Sequence, residues 1–175
     1  MKNHIALYEP VMPANTGNIA RTCAATNTTL HLIHPLGFST EDKMLKRAGL
    51  DYWQEVDIME HESFEDFLNW AGERPMYLIS KFAQRIYTEA DLASNVYGEQ
   101  IFLFGKETTG LPLDFMQAHE ADALRIPMND EHVRSLNLSN TAAILIYEAL
   151  RQQSWQGLDE IHHYRDTDKA RELNW

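Results

Sequence analysis

The stretch "QIFLFGKETTGLP" (residues 100–112) passes from a wholly apolar run into a small polar loop. A short, continuous run such as Ile101–Phe104 suits a strand covered on both faces of a parallel sheet. Gly105 ends the run, and Gly110-Leu111-Pro112 ends the loop with turn residues. "MYLIS" (76–80) is a second run of the same kind. "HIALY" (4–8) and "LHLIH" (30–34) alternate weakly and stop at Glu9-Pro10 and Pro35-Leu36-Gly37, so both read as strands. "ALRIP" (123–127) is a further strand candidate, broken by Pro127.

Helical patterns separate these runs. Asn15-Thr16 reads as a cap before a helix over 17–27. Residues 42–49 form a pattern closed by Gly49, and residues 63–72 one opened by Ser63 and closed by Gly72. The last helix runs over about 137–153. Strands alternating with helices predict an α/β fold, a mainly parallel sheet flanked by helices. One domain is expected over 1–156, with a polar tail over 157–175 that is either a docked helix or a disordered end.

The chain's 175 residues, 44% of them hydrophobic, suit one domain with a full core. Its single cysteine excludes a disulfide framework and a CxxC metal site. No helix carries two histidines at metal-binding spacing, so no metal is expected. No apolar run approaches the ~20 residues of a membrane span, and no secretory leader pattern opens the chain. A cytoplasmic location and no membrane partner are expected. The formal net charge, 15 − 26 = −11, argues against non-specific coating of nucleic acid. Lys43, Lys46 and Arg47 cluster, while Arg21, Lys81, Arg85, Lys106 and Arg134 are spread out.

Common ligand loops are absent. No GxGxxG follows a strand, and no Gly-x-Ser-x-Gly elbow occurs. Gly105 and Gly110 have P-loop spacing, but Leu111-Pro112 stands where Lys-Ser/Thr is required. Three polar loops remain, each after a strand: "PANTGNIAR" (13–21), "FGKETTGLP" (104–112) and "IPMNDEHVRSLNLSN" (126–140). Parallel strands bring such loops to one edge, where ligands bind. Singly, each has a plain reading: Asn15-Thr16-Gly17 as a cap, Gly105 and Gly110 as turn residues, Ser135 and Asn137 as caps of the last helix.

Jointly, the loops resemble the three motifs of the SPOUT methyltransferase superfamily. The likeness is greatest to the small members that methylate the ribose 2′-hydroxyl of the wobble cytidine or uridine of tRNA. It covers Ile5 to Gln153, carried by "LYEPVMPANTGNIAR" (7–21), "LHLIHPLGF" (30–38), "KRAGLDYW" (46–53), "FGKETTGLP" and "RSLNLSNTAAILIYEALRQ" (134–152).

The resemblance implies a C-terminal trefoil knot and S-adenosyl-L-methionine as cofactor. Its cofactor-binding residues would be Leu78, Gly105, Ile126, Ser135 and Leu136. Arg21 would be the central catalytic residue, with Asn15, Glu107 and Asn137 as its helpers. A guanidinium stays protonated, so Arg21 is better suited to hold an RNA phosphate or developing alkoxide charge than to act as a base. The resemblance also implies a homodimer and a tRNA partner. "AAILIY" (142–147) is apolar around the whole helix, which fits either a fully central helix or one burying a second face against a partner.

Departures from the family pattern are Lys106, Thr109 and Phe82, where relatives carry proline, arginine and glycine. Three alternatives stay open. The first is the same chemistry at another tRNA or rRNA position. The second is a catalytically silent RNA-binding dimer, and the third a nucleotide-binding domain of unrelated chemistry.

Overall fold

The computed structural model describes residues 1–39, 53–161 and 163. The helix expected over 42–49, the cluster of Lys43, Lys46 and Arg47, and most of the tail lie outside those residues. Among the described residues no helix is long and apolar enough to cross a membrane.

Seven strands form one parallel sheet: β1 (Lys2–Tyr8), β2 (Thr29–Ile33), β3 (Ile58–His61), β4 (Met76–Ile79), β5 (Arg85–Ile86), β6 (Glu99–Phe104) and β7 (Ala123–Arg125). Their order is β3-β2-β1-β6-β4-β7-β5. The helices among the described residues are α1 (Pro13–Ala25), α2 (Phe64–Ala71), α3 (Leu113–Ala118) and α4 (Leu138–Gln152).

The side-chain period of two explains the continuous apolar runs. On β6, Phe102 and Phe104 enter one core while Ile101 and Leu103 enter the other. β1 behaves alike, with Ile5 and Leu7 on the first side and Ala6 on the second. Ile19 and Cys23 of α1 and Leu145, Ile146 and Leu150 of α4 cover the first face. Phe67 and Ala71 of α2 cover the second, with Phe115 and Met116 of α3 beside them. The result is the three-layer architecture expected of an α/β chain.

Several boundaries differ from expectation. The first helix begins at Pro13, because proline's fixed φ and missing N–H suit the first helical position. Its cap is Met12, whose side chain makes no capping bond, and Asn15 and Thr16 are buried inside the helix and do not cap it. Ser63 does cap α2, its hydroxyl accepting from the Asp66 N–H at 3.1 Å. β7 ends at Arg125, before Ile126-Pro127. The chain reading had no counterpart for β3, β5 and α3.

One connection sets the topology of the site. β4 and β5 are joined by residues 80–84, yet β7 lies between them. That connection crosses β7 and is held there. The Ser80 N–H donates to Leu124 O at 3.0 Å, and the Arg125 guanidinium to Lys81 O at 2.9 Å. The chain between β7 and α4 returns to this loop, where the Lys81 ammonium donates to Arg134 O at 3.0 Å, an arrangement consistent with the trefoil knot that the resemblance implies.

Candidate active site at the carboxyl edge

All strands are parallel, so their carboxyl ends share one edge. A cavity of about 500 Å³ opens there, a volume typical of small-ligand sites. Loops after β1, β4, β6 and β7 line it. The loop after β4 was not among the three singled out in the sequence.

Gly105 leads the β6 loop out of the sheet. A Cβ there would stand 2.5 Å from Gly110 C and Leu111 N. The close approach that requires glycine is therefore made by the loop's own neck. The Lys106 N–H donates to Gly110 O at 3.2 Å, and the Gly110 N–H to Lys106 O at 2.8 Å. Gly110 takes φ +76°, which a side chain would strain. This neck places Glu107 beside the start of α1.

Glu107 ties its loop to the start of α1, and Asn15 carries the link on to a third loop. Its Oε2 accepts from the Val11 N–H at 2.9 Å, and its Oε1 from the Met12 N–H at 3.3 Å and Asn15 Nδ2 at 3.2 Å. A carboxylate before the first turn also meets the positive end of the α1 dipole. Asn15 Oδ1 in turn accepts from Asn137 Nδ2 at 3.0 Å. Asn137 caps α4: its Oδ1 accepts from the Ser139 N–H at 2.9 Å, the Asn140 N–H at 3.3 Å and the Ser139 hydroxyl at 2.6 Å. One amide thus serves as helix cap and loop clamp together. Lys106 adds an ion pair to Glu9 at 3.1 Å, tying the β6 loop to the end of β1.

The remaining expected residues are not all at the cavity. Gly105, Ile126, Ser135 and Leu136 line it with Asn15, Glu107 and Asn137. Leu78 does not; it is wholly buried in the second core, and Ile79 and Ser80 line the wall instead. The strand's alternation turns Leu78 to the face opposite Ile79, and Ser80 lies beyond the strand's end.

Arg21 does not line the cavity of its own chain either. It follows Asn15 by six positions, which at 100° per residue puts it about 120° round the helix. Arg21 is exposed and shares a face with Ala25. Ala25 and Tyr147 line a separate hollow of about 600 Å³ with Trp155 and Glu160. α4 buries only one face: Leu145, Ile146 and Ala149 are enclosed, while Ile144 and Tyr147 are exposed. A fully central helix is thereby excluded within the single chain.

A second polar network was missed in the sequence. His4 Nδ1 lies 2.9 Å from His31 Nε2, and His31 Nδ1 lies 2.9 Å from His61 Nε2. These histidines come from β1, β2 and β3, and Trp70 of α2 covers them. Burial holds His4 down at about 4 and His31 at about 3, and lowers His61 as well. They are hydrogen-bonded neutral rings, remote from the cavity.

Fold and cavity together define an α/β protein with a candidate ligand cavity at the carboxyl edge of a parallel sheet. The model of the SpoU rRNA Methylase family matches residues 2–147, and the chain belongs to that family. A relative from Lactococcus lactis subsp. cremoris is 55% identical over 170 residues, covering 97% of this chain and 99% of its own. That relative is named provisionally as a tRNA (cytidine(34)-2′-O)-methyltransferase. A crystal structure from Bacillus anthracis is 56% identical, covers 91% of this chain and 99% of its own, and superposes with a TM-score of 0.84. A structure described as bearing on 2-OH methylation of C/U34 on tRNA is 40% identical, covers 87% and 91%, and gives a TM-score of 0.79.

Proposed function

We propose that this chain transfers a methyl group from S-adenosyl-L-methionine to the ribose 2′-hydroxyl of the wobble cytidine or uridine of tRNA. The observation that carries this reading is the cavity at the carboxyl edge, with its loops tied by Glu107, Asn15 and Asn137. The residues present fit the cofactor: Ile79, Ile126, Leu136 and Leu138 supply apolar walls for a flat adenine, and strand-end backbone groups supply partners for its polar edge. The cofactor brings an electrophilic methyl on a sulfonium centre.

The chain's own residues provide positioning and charge. Both oxygens of Glu107 accept bonds from the α1 start, so Glu107 acts as a clamp for that segment. The clamp fixes the loop geometry around the reacting hydroxyl, the largest service a protein gives a weak nucleophile. Arg21 supplies a permanent positive charge for the RNA phosphate and the developing alkoxide.

Arg21 is exposed and does not line its own cavity, and Tyr147 on the exposed face of α4 shares a hollow with Ala25. The reading is therefore a homodimer, in which each Arg21 serves the partner's cavity. The compartment is the cytoplasm, where tRNA is held.

The test is mass spectrometry of tRNA nucleosides and fragments after incubation with labelled S-adenosyl-L-methionine. The expected product is a 2′-O-methylated wobble nucleotide. Label at another nucleotide overturns the position, and no label in any tRNA overturns the enzyme reading.

A further inference from the structure

The lip of the cavity holds a pair of side chains that the clamp does not use. Phe82 lines the cavity and is 68% exposed. Its loop is pinned. The Phe82 N–H donates to Ser80 Oγ at 3.2 Å, the Ala83 N–H to Ser80 O at 3.3 Å, and Ala83 is buried behind it. The bonds from Ser80 and Arg125 described above fix the same loop to β7. Lys81 lies over one face of the ring, its Nζ 5.0 Å from the centroid, and the ring's exposure is on its remaining surface. That ammonium also donates to Arg134 O at 3.0 Å, which leaves its charge at the lip.

A lone exposed phenylalanine needs no explanation. A ring held at a cavity mouth by a fixed backbone, with a cation beside it, is a different matter. Single-stranded RNA is recognised by aromatic faces that stack bases and by cations that meet phosphates. Met12 and Leu113, both exposed and both lining the cavity, extend the apolar lip.

We infer that Phe82 stacks on the base of the methylated nucleotide while Lys81 contacts a neighbouring phosphate. The inference rests on the RNA reading of this site. The ribose enters the cavity, and its base is left at the mouth where Phe82 stands. Stacking does not read the hydrogen-bonding edge of a base, so one ring accepts cytidine and uridine alike. A loop nucleotide is already unpaired, and its transfer to such a ring costs little.

The experiment is steady-state methylation of unmodified tRNA by wild type, Phe82→Ala, Phe82→Tyr and Lys81→Ala, with S-adenosyl-L-methionine affinity measured by calorimetry on each. Phe82→Ala is expected to raise the KM for tRNA about tenfold or more. Its kcat and cofactor affinity stay near wild type, and Phe82→Tyr restores the KM. Lys81→Ala raises the KM and lowers the salt dependence by about one phosphate contact. An anticodon stem-loop abasic at the target position should lose affinity for wild type but not for Phe82→Ala. An unchanged KM in Phe82→Ala, with wild type active, overturns this inference alone. A loss confined to kcat or cofactor affinity does the same, because it places Phe82 in the cofactor pocket. A wild type that methylates no tRNA overturns the RNA reading and this inference with it.

Discussion

Two polar networks are built into one sheet, and they differ in where their unused valences point. The clamp of Glu107, Asn15 and Asn137 joins loops at the carboxyl edge, and its members line an open cavity. The histidine row of His4, His31 and His61 runs diagonally across β1, β2 and β3 beneath Trp70, each member two positions further along its strand. All three rings are buried, and among the described residues His4 Nε2 has no hydrogen-bond partner, with Glu99 Oε2 3.6 Å away. Both networks join distant parts of the chain. The clamp lines a cavity, while the histidines bond one another and fill space. The clamp should thus affect turnover more than stability, and the histidine row stability more than turnover.

The sharpest break is His31→Ala. Deleting a wholly buried ring leaves a cavity under Trp70 and removes the partner of both neighbouring histidines. Large-to-alanine core changes and unsatisfied buried polar groups together put the loss at about 4 kcal/mol. Urea unfolding should show it, while turnover of the folded fraction at low temperature stays at the wild-type value. A large fall in turnover with unaltered stability would reverse the assignment of roles.

Glu107→Gln is the converse. The amide presents N–H groups to a site where Val11, Met12 and Asn15 already donate, so one donor faces another. The start of α1 then shifts, and a fall of about a hundredfold in kcat/KM corresponds to ~2.7 kcal/mol. Thermal unfolding should move far less than in His31→Ala. Wild-type kcat/KM in Glu107→Gln would remove the clamp from the mechanism.

Acid separates the networks without mutation. His4 titrates at about 4 and His31 at about 3 in the folded chain, against 6.5 in the unfolded one, chiefly because burial disfavours the cation. The charges facing the row oppose one another, Lys2 and Arg74 lowering and Glu99 and Asp57 raising His4. As pH falls below 6.5, the unfolded chain takes up protons that the folded chain does not. Stability is therefore full above about 6.5 and declines below it, at up to ~1.4 kcal/mol per pH unit for each histidine. The decline from His4 ends near 4 and that from His31 near 3. Denaturation series between pH 7.5 and 4.5 measure the slope. The clamp contains no histidine, so a flat stability profile would show that the buried row is not what titrates.

The contrast also explains what was legible in the chain. β4 and β6 are read from continuous apolar runs because both faces of each are covered, and β1 and β2 from weak alternation ended by turn residues. β3 lies at the sheet edge with Glu60 exposed, and β5 is only Arg85–Ile86, too short for a period. The clamp residues sit inside loops whose composition marks them, although Asn15 is misread as a cap because proline at the start of α1 leaves no local trace of where Asn15 points. The histidine row has no local signature at all. Residues 4, 31 and 61 meet only through strand register, which spacing does not reveal. Arg21 is legible as a candidate, but its face of α1 is a matter of three dimensions.

The finest distinction lies within Asn137, which belongs to both kinds of structure. Its Oδ1 caps α4, and its Nδ2 holds Asn15. Asn137→Asp separates the two duties. Aspartate caps as well as asparagine, and its charge suits the positive end of the helix. It cannot donate to Asn15 Oδ1. Turning the Asn15 amide over would instead present that oxygen to Glu107, so neither orientation satisfies both carboxylates. Stability should stay within about 0.5 kcal/mol of wild type, while kcat/KM falls about fivefold. Asn137→Ala loses both duties and should cost about 1 kcal/mol of stability as well. If Asn137→Asp turns over like wild type, the amide is a cap alone, and the clamp ends at Asn15.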